Sequence, residues 1–230
     1  MKVKAIKEEH LLPVIANNKK TFGSKFSHIS ELSSGFGIAD IVFYRLDTKV
    51  IRKRIAKQFP PIESIDLIQI LTHLNRIEDN TINIKHLKKI LPSSKEQKEE
   101  IISFLIKRKF LIPKNKSLSE FKIANSYKIG LKEVIAIEAK LSNWKRGLYQ
   151  AYRYKQYANK SYLAVHSKYV HRALANEGHF IRSNVGLIEV SDKSIKILIE
   201  PKRESSKENI FSALVYERLL STAKNGFPSA

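Results

Sequence analysis

The chain has 230 residues, room for one sizeable core or two small ones, and its apolar fraction of 43% separates it from disordered chains. It contains no cysteine, which excludes disulfides, thiolate nucleophiles and cysteine-ligated zinc or iron–sulfur clusters. Any metal would be held by oxygen or imidazole, which favours a hard ion such as Mg²⁺ or Mn²⁺.

A net charge of +20 and a pI near 10.0 point to a polyanion partner, because neutralised phosphates release condensed counterions. The bland alternative is a lysine-rich, solvated surface. Dispersal of the basic residues, rather than their concentration on one amphipathic helix, argues against a membrane surface. No stretch is apolar enough to span a bilayer, and the N-terminal residues lack an apolar signal core, so a cytoplasmic location is expected.

In chain order, Ala5 to Asn18 can form a short helix that Pro13 is expected to split. Phe26 to Ser33 reads as a strand, Ser34-Gly-Phe-Gly as a hairpin turn, and Ile38 to Leu46 as a returning strand rich in β-branched and aromatic residues. From about Thr48 the pattern changes. Pro60-Pro61 marks a break, Ile62 to Ile77 has apolar residues at helical spacing, and Ile84 to Leu91 makes a second helix stopped by Pro92. Ser94 with Gln97 predicts a capping box opening a third helix through Arg108. Phe110 to Pro113 and Phe121 to Ala124 then predict a β-hairpin. Three helices followed by a hairpin resemble a winged helix-turn-helix.

Beyond it, Glu133 to Leu141 is a strand, and Ser142 or Asn143 caps a helix running to about Asn159. Ser161 to Val165 is a strand, Lys168 to Glu177 a helix and Val185 to Val190 a strand. A turn at Ser191 to Ser194 leads to the strand Ile195 to Ile199, and the last helix spans roughly Glu208 to Leu220. The expected organisation is an α/β core of mixed sheet flanked by helices, residues 1–47 and 128–230, with 48–127 inserted as a winged-helix-like subdomain.

Glu138 and Lys140 interrupt a strongly apolar strand. Side chains alternate along a strand, so the two share a face, about 7 Å apart. Burying a carboxylate and an ammonium on such a strand is costly unless a metal ion, a water or a substrate phosphate compensates. Asp40 interrupts Ile38-Ala-Asp-Ile-Val-Phe-Tyr in the same way. Ionisable residues set into apolar strands mark functional sites more often than not. The alternative is a strand edge whose Glu138 and Lys140 face solvent.

Gly37-Ile-Ala-Asp40, followed by Ile137-Glu-Ala-Lys140, a helix and a strand, resembles the PD-(D/E)XK nuclease superfamily, a restriction-endonuclease-like fold. Ala39 stands where the motif's name has proline, a position that carries no chemistry. The resemblance implies that Asp40, Glu138 and the carbonyl of Ala139 bind a divalent cation, Mg²⁺ or Mn²⁺. It implies that Lys140 orients or activates the attacking water and stabilises negative charge. An upstream acid is also implied, for which Glu31 on the hairpin is the first choice and Glu9 the second. Gln150-Ala-Tyr-Arg-Tyr154 resembles the Q-x-x-x-Y signature of some branches, placing Gln150 and Tyr154 near the active site and the DNA backbone. The alternative is a tyrosine-rich face packed on the sheet.

Lys145, Arg146 and Arg153 on that helix are candidate phosphate contacts. In the inserted segment, Glu96, Glu99 and Glu100 crowd the N-terminal half of the third helix and would repel phosphates there. Lys107, Arg108, Lys109, Lys114 and Lys116 lie at its C-terminal end and on the wing, so wing-led contact with the DNA backbone is expected. A protein-docking or structural role is the alternative. His166 and His171, on a strand end and a helix, read as surface histidines rather than as metal ligands.

The activity expected from these residues is metal-dependent hydrolysis of phosphodiester bonds, endonucleolytic on DNA. Cutting both strands points to a homodimer or a larger DNA-processing complex. The rivals are a non-catalytic winged-helix DNA-binding regulator and an RNA-directed nuclease.

Overall fold

The computed structural model describes residues 7–35, 37–92 and 94–222. A 3₁₀ turn at Glu8–His10 leads into α1 (Leu11–Asn17), then β1 (Ser27–Ser33) and β2 (Ile38–Leu46). Next come α2 (Thr48–Ala56), α3 (Ile65–Leu74), β3 (Thr81–Asn83), α4 (Ile84–Ile90), α5 (Lys95–Lys107), β4 (Leu111–Pro113) and β5 (Glu120–Ile123). The chain continues through β6 (Leu131–Lys140), α6 (Trp144–Tyr154), β7 (Lys160–His166), α7 (Ser167–Leu174) and α8 (Glu177–Ser183). It ends with β8 (Gly186–Val190), β9 (Ile195–Ile199) and α9 (Ile210–Thr222). Among the described residues no helix is long and apolar enough to cross a membrane.

These elements form two compact units, one from the chain up to Arg52 together with Gly130–Lys207, the other from Lys53–Ile129 together with the chain from Glu208. The first is α/β. Its six strands run in the order β1-β2-β6-β7-β8-β9. The β6/β7 and β7/β8 pairs are parallel and the remaining pairs antiparallel. Strand alternation sorts the side chains onto two faces. One face carries Ile41, Phe43, Ile135, Ile137, Tyr162 and Ile188 against Leu11 and Ile15 of α1. The other carries Leu163, Val165 and Leu187 against Ala151 of α6, Val170 and Ala173 of α7, and Phe180 of α8.

In the second unit, β3, β5 and β4 make a three-stranded antiparallel sheet, with β5 central. Arg54 and Glu217 form a buried, bidentate ion pair with both contacts at 2.7 Å. Arg54 also donates to the carbonyls of Phe59 and Pro60, and Glu217 accepts from Tyr127 and the Ile62 amide. Each charge therefore has its hydrogen bonds met, and removing either partner alone would cost about 3–5 kcal/mol.

The last helix differs from expectation: α9 belongs to the helical unit, not to the α/β core. Its burial of Leu214, Val215, Tyr216, Leu219 and Leu220 demands partners around much of its circumference, and Glu217 binds it to Arg54. The boundary expected after residue 47 falls instead after Arg52, within α2. Neither α2, β3 nor α8 was anticipated. Thr48 to Ala56 has a basic, weakly apolar pattern, and β3 is three residues long.

Helix α6 stops at Tyr154, short of Asn159, because Asn159 is tied to Val134 of β6. Its amide donates to the Val134 carbonyl and its side-chain oxygen accepts from the Val134 amide, both at 2.8 Å. The expected split at Pro13 does not occur. Pro13 occupies the first turn of α1, where an amide has no intrahelical acceptor to lose. Ser94 begins α5 without a side-chain cap, so the expected capping box is not made. Ala5 and Ile6 of the first helix and Phe36 of the hairpin turn lie outside the described residues.

Candidate functional site

Asp40, Glu138 and Lys140 come together on the α6 face of the sheet. The opposite parity, Ile41, Ile137 and Ala139, faces α1. Asp40 Oδ2 accepts from the Ala139 amide at 2.7 Å, a bond across β2 and β6 that fixes the carboxylate beside the Glu138–Lys140 strand. Lys140 Nζ lies 2.6 Å from Glu138 Oε1 and 3.1 Å from the Ala139 carbonyl. Glu138 is 1% exposed, so the solvent-facing strand edge does not apply to it.

Two further acids surround this group. The β1/β2 register sets Ser30 against Ile41 and Leu32 against Ala39, which places Glu31 opposite Asp40. Glu31 itself adopts a left-handed backbone with φ of 56°, a conformation unfavourable for its residue type. The N-terminal acid that reaches the site is Glu8, not Glu9. Glu8 Oε1 accepts from the Leu141 amide at 3.1 Å and Oε2 lies 3.7 Å from Lys140 Nζ. Glu9 pairs instead with exposed Lys7. A signal for Glu8 was present: residues 8, 11 and 15 share a helical face, and Leu11 and Ile15 are its buried members.

Electrostatics follow from this crowding. Burial pushes the Asp40 carboxyl upward, opposed by the Ala139 amide and Lys140 and reinforced by Glu8 and Glu31. Burial likewise raises Glu138, against hydrogen bonds from Lys140 and Tyr154, and Asp40 adds to the rise. Burial alone would lower Lys140. Its bond to Glu138 and the charges of Glu138, Asp40 and Glu8 outweigh that, and the net shift is upward.

Tyr154 is 2% exposed and its hydroxyl touches both Glu138 Oε2 and the Ile38 carbonyl, the latter at 2.6 Å. Its place beside DNA is thereby corrected: it is a buried holder of Glu138. One hydroxyl has one proton, and both neighbours are acceptors when Glu138 is ionised. The tyrosine proton is therefore shared between the Glu138 carboxylate and the Ile38 carbonyl. Gln150 is half-buried, and its Oε1 is buried without a hydrogen-bond partner among the described residues.

Two glycines shape the site. Gly37 has φ of 134°, a backbone conformation that favours glycine, and lies against the Tyr154 ring and the Arg153 guanidinium. At Gly147 a Cβ would fall 2.5 Å from Leu163 Cδ1 and 2.8 Å from Lys140 Cγ, so the bare backbone of α6 seats the lysine stem.

The donors suit a hard cation: two carboxylates, Asp40 and Glu138, and the Ala139 carbonyl, all oxygen. The Lys140 ammonium already draws Glu138 Oε1 and that carbonyl around a positive charge. Among the described residues no three His, Cys, Asp or Glu side chains converge as a metal site by themselves. His166 is not a surface residue. It is 6% exposed and caps α7, accepting from the Lys168 amide at 3.1 Å through Nδ1. His171 is exposed on α7.

Of the basic residues, Lys145 and Arg146 are exposed on the first turn of α6, and Arg153 is half-buried at its last turn. In the helical unit, Lys107, Lys109 and Lys116 are exposed. Arg108 is engaged internally, donating to the Gln58 carbonyl and lying over the Phe59 ring. Lys114 pairs with Glu120 across the β4/β5 hairpin at 3.0 Å.

No protein-family profile matches the chain, and no curated protein matches it. Among solved structures it is similar to SPO1766, a protein of unknown function from Silicibacter pomeroyi, with a TM-score of 0.46 and 10% identity over 96% of this chain and 90% of that one.

Proposed function

We propose that the protein is a divalent-metal-dependent nuclease of the PD-(D/E)XK type that hydrolyses phosphodiester bonds in DNA, with Asp40, Glu138 and Lys140 as its catalytic residues. The observation that carries this reading is the inward-facing acid cluster. Asp40 and Glu138 are held at adjacent strands, flanked by Glu8 and Glu31, in a chain whose net charge is +20. Asp40, Glu138 and the Ala139 carbonyl would hold the metal, which supplies an acidified water and shields charge on the phosphate. The Ala139 amide orients Asp40, and Tyr154 orients Glu138. Lys140 presents a permanent cation to the non-bridging oxygens, where negative charge builds in the transition state. The order α1, β1, β2, β6, α6, β7 supports the same reading, since the hairpin, the E-x-K strand, a helix and a strand follow one another in one sheet.

A second reading, a winged-helix DNA-binding regulator, is favoured by the helical unit. Its order α3-β3-α4-α5-β4-β5, with β5 between β3 and β4, is the arrangement such a module needs. The test is cleavage of duplex, single-stranded, branched and nicked DNA in Mg²⁺ and Mn²⁺, beside binding in EDTA. Asp40→Asn and Glu138→Gln should abolish cleavage and leave binding intact, while Lys140→Ala should retain slow cleavage, reduced about 10²- to 10³-fold. A wild-type protein that binds these DNAs and cuts none with either metal would establish the regulator instead.

A further inference from the structure

The solvent face of α6 carries a feature that catalysis by Asp40, Glu138 and Lys140 leaves unused. Helix α6 buries Gly147, Ala151 and Tyr154, spaced i, i+4 and i+7, against the sheet. Its outer face should then be polar. It instead shows two large aromatic rings, Tyr149 at 64% and Tyr152 at 51% exposure. Basic groups accompany both. The Arg153 guanidinium lies 6.0 Å from the Tyr149 ring centre, and Lys155 Nζ lies 5.2 Å from that of Tyr152 while paired with Glu204 at 2.9 Å. Lys145 and Arg146 are exposed one turn earlier.

We infer that this face is a stacking platform for an unpaired nucleic-acid strand, so that the site acts on single-stranded or branched substrate rather than on intact duplex. The inference rests on the nuclease reading and names its substrate class. Bases within a duplex show their π-faces to each other, whereas an unpaired strand offers them to protein rings. A basic groove with interleaved aromatics binds such strands with little sequence preference. Tyr149 and Tyr152 stand three residues apart on one helix face, with about 5–6 Å between Cβ atoms, close enough to hold neighbouring bases. Lys145 and Arg146 are placed for the backbone phosphates.

Continuity with the reacting centre comes through Arg153. Its guanidinium borders Tyr149 on one side and approaches Gly37, three residues before Asp40, on the other. Tyr154, the next residue, touches Glu138 from the buried face. A strand laid on Tyr149 would therefore meet Arg153, which lies beside the Gly37 turn leading to Asp40.

The test uses the full chain in EDTA and measures affinity for oligo-dT, oligo-U and a duplex of equal length, with 2-aminopurine fluorescence reporting stacking. Tyr149→Ala with Tyr152→Ala should weaken binding to the unpaired strands about tenfold or more and abolish the 2-aminopurine signal, with duplex affinity within about threefold. The dependence on salt should be unchanged, since the rings carry no charge. Tyr149→Phe with Tyr152→Phe should bind as the parent does, because the ring is kept. Stronger binding of oligo-dT than of oligo-U is expected, since the proposed activity is on DNA, and stronger binding of oligo-U would overturn the inference. Equal losses on duplex and single strand, no loss on either, or a Phe variant as weak as the Ala variant would overturn the inference. Binding in EDTA needs no catalysis, so this result stands apart from the Asp40→Asn cleavage test, and either can fail without the other.

Discussion

Gly147→Ala sets two effects of known size against each other. Alanine exceeds glycine in a helix interior by about 1 kcal/mol, so propensity alone favours the variant. The added Cβ would meet Leu163 Cδ1 at 2.5 Å and Lys140 Cγ at 2.8 Å, and Leu163 is fully buried. Neither atom is the free end of an exposed side chain, so the helix or the strands must shift. Overpacking of this kind costs about 1–3 kcal/mol, for a net destabilisation of up to about 2 kcal/mol. At about 2–4 °C per kcal/mol for a protein of this size, the melting temperature should fall by a few degrees. Displacing the Lys140 stem should also slow cleavage, by up to about 10²-fold for a shift near 1 Å. Gly178→Ala is the control: in α8 its Cβ meets the Arg182 guanidinium at 3.2 Å, the end of a flexible side chain that can move aside. That variant should melt at or above the parent temperature and cut normally. Calorimetry and cleavage assays on both proteins decide. A Gly147→Ala protein as stable and as active as Gly178→Ala would refute the claim that bare backbone at position 147 seats Lys140.

Tyr154→Phe should fold but lose the bonds to Glu138 and Ile38, lowering metal affinity or cleavage about 10- to 100-fold; titration calorimetry with Mn²⁺ measures the first, and an unchanged affinity would deny the tyrosine its positioning role. Asp40→Asn should raise thermal stability in EDTA near neutral pH. The folded-state value of Asp40 lies above its ordinary one, so the group's contribution is full below the carboxylate range and is lost as pH rises through it. The advantage of the variant should therefore fade as the melts are repeated at falling pH, and a variant less stable than wild type at neutral pH would show that the Ala139 amide and Lys140 outweigh burial.

Much of the α/β unit was legible locally. Strands such as Ile38 to Leu46 and Glu133 to Leu141 declare themselves by β-branched and aromatic runs, and Asp40, Glu138 and Lys140 stand out because an apolar strand does not carry charge without a reason. The face shared by Glu138 and Lys140 follows from alternation alone. Which residues complete the cluster did not follow, because that depends on contacts between distant segments. Glu8 reaches Lys140 only through the packing of α1 beneath the sheet, and Glu9, one residue on, turns away with the 3₁₀ rotation of about 120°. The sequence put Tyr154 near the site, but the tertiary structure alone decides that it faces Glu138 while Tyr149 and Tyr152 face solvent. The place of α9 was hidden for the same reason. An apolar helix pattern states that burial is needed and not where, and the partner that resolves it, Arg54, lies 163 residues away along the chain.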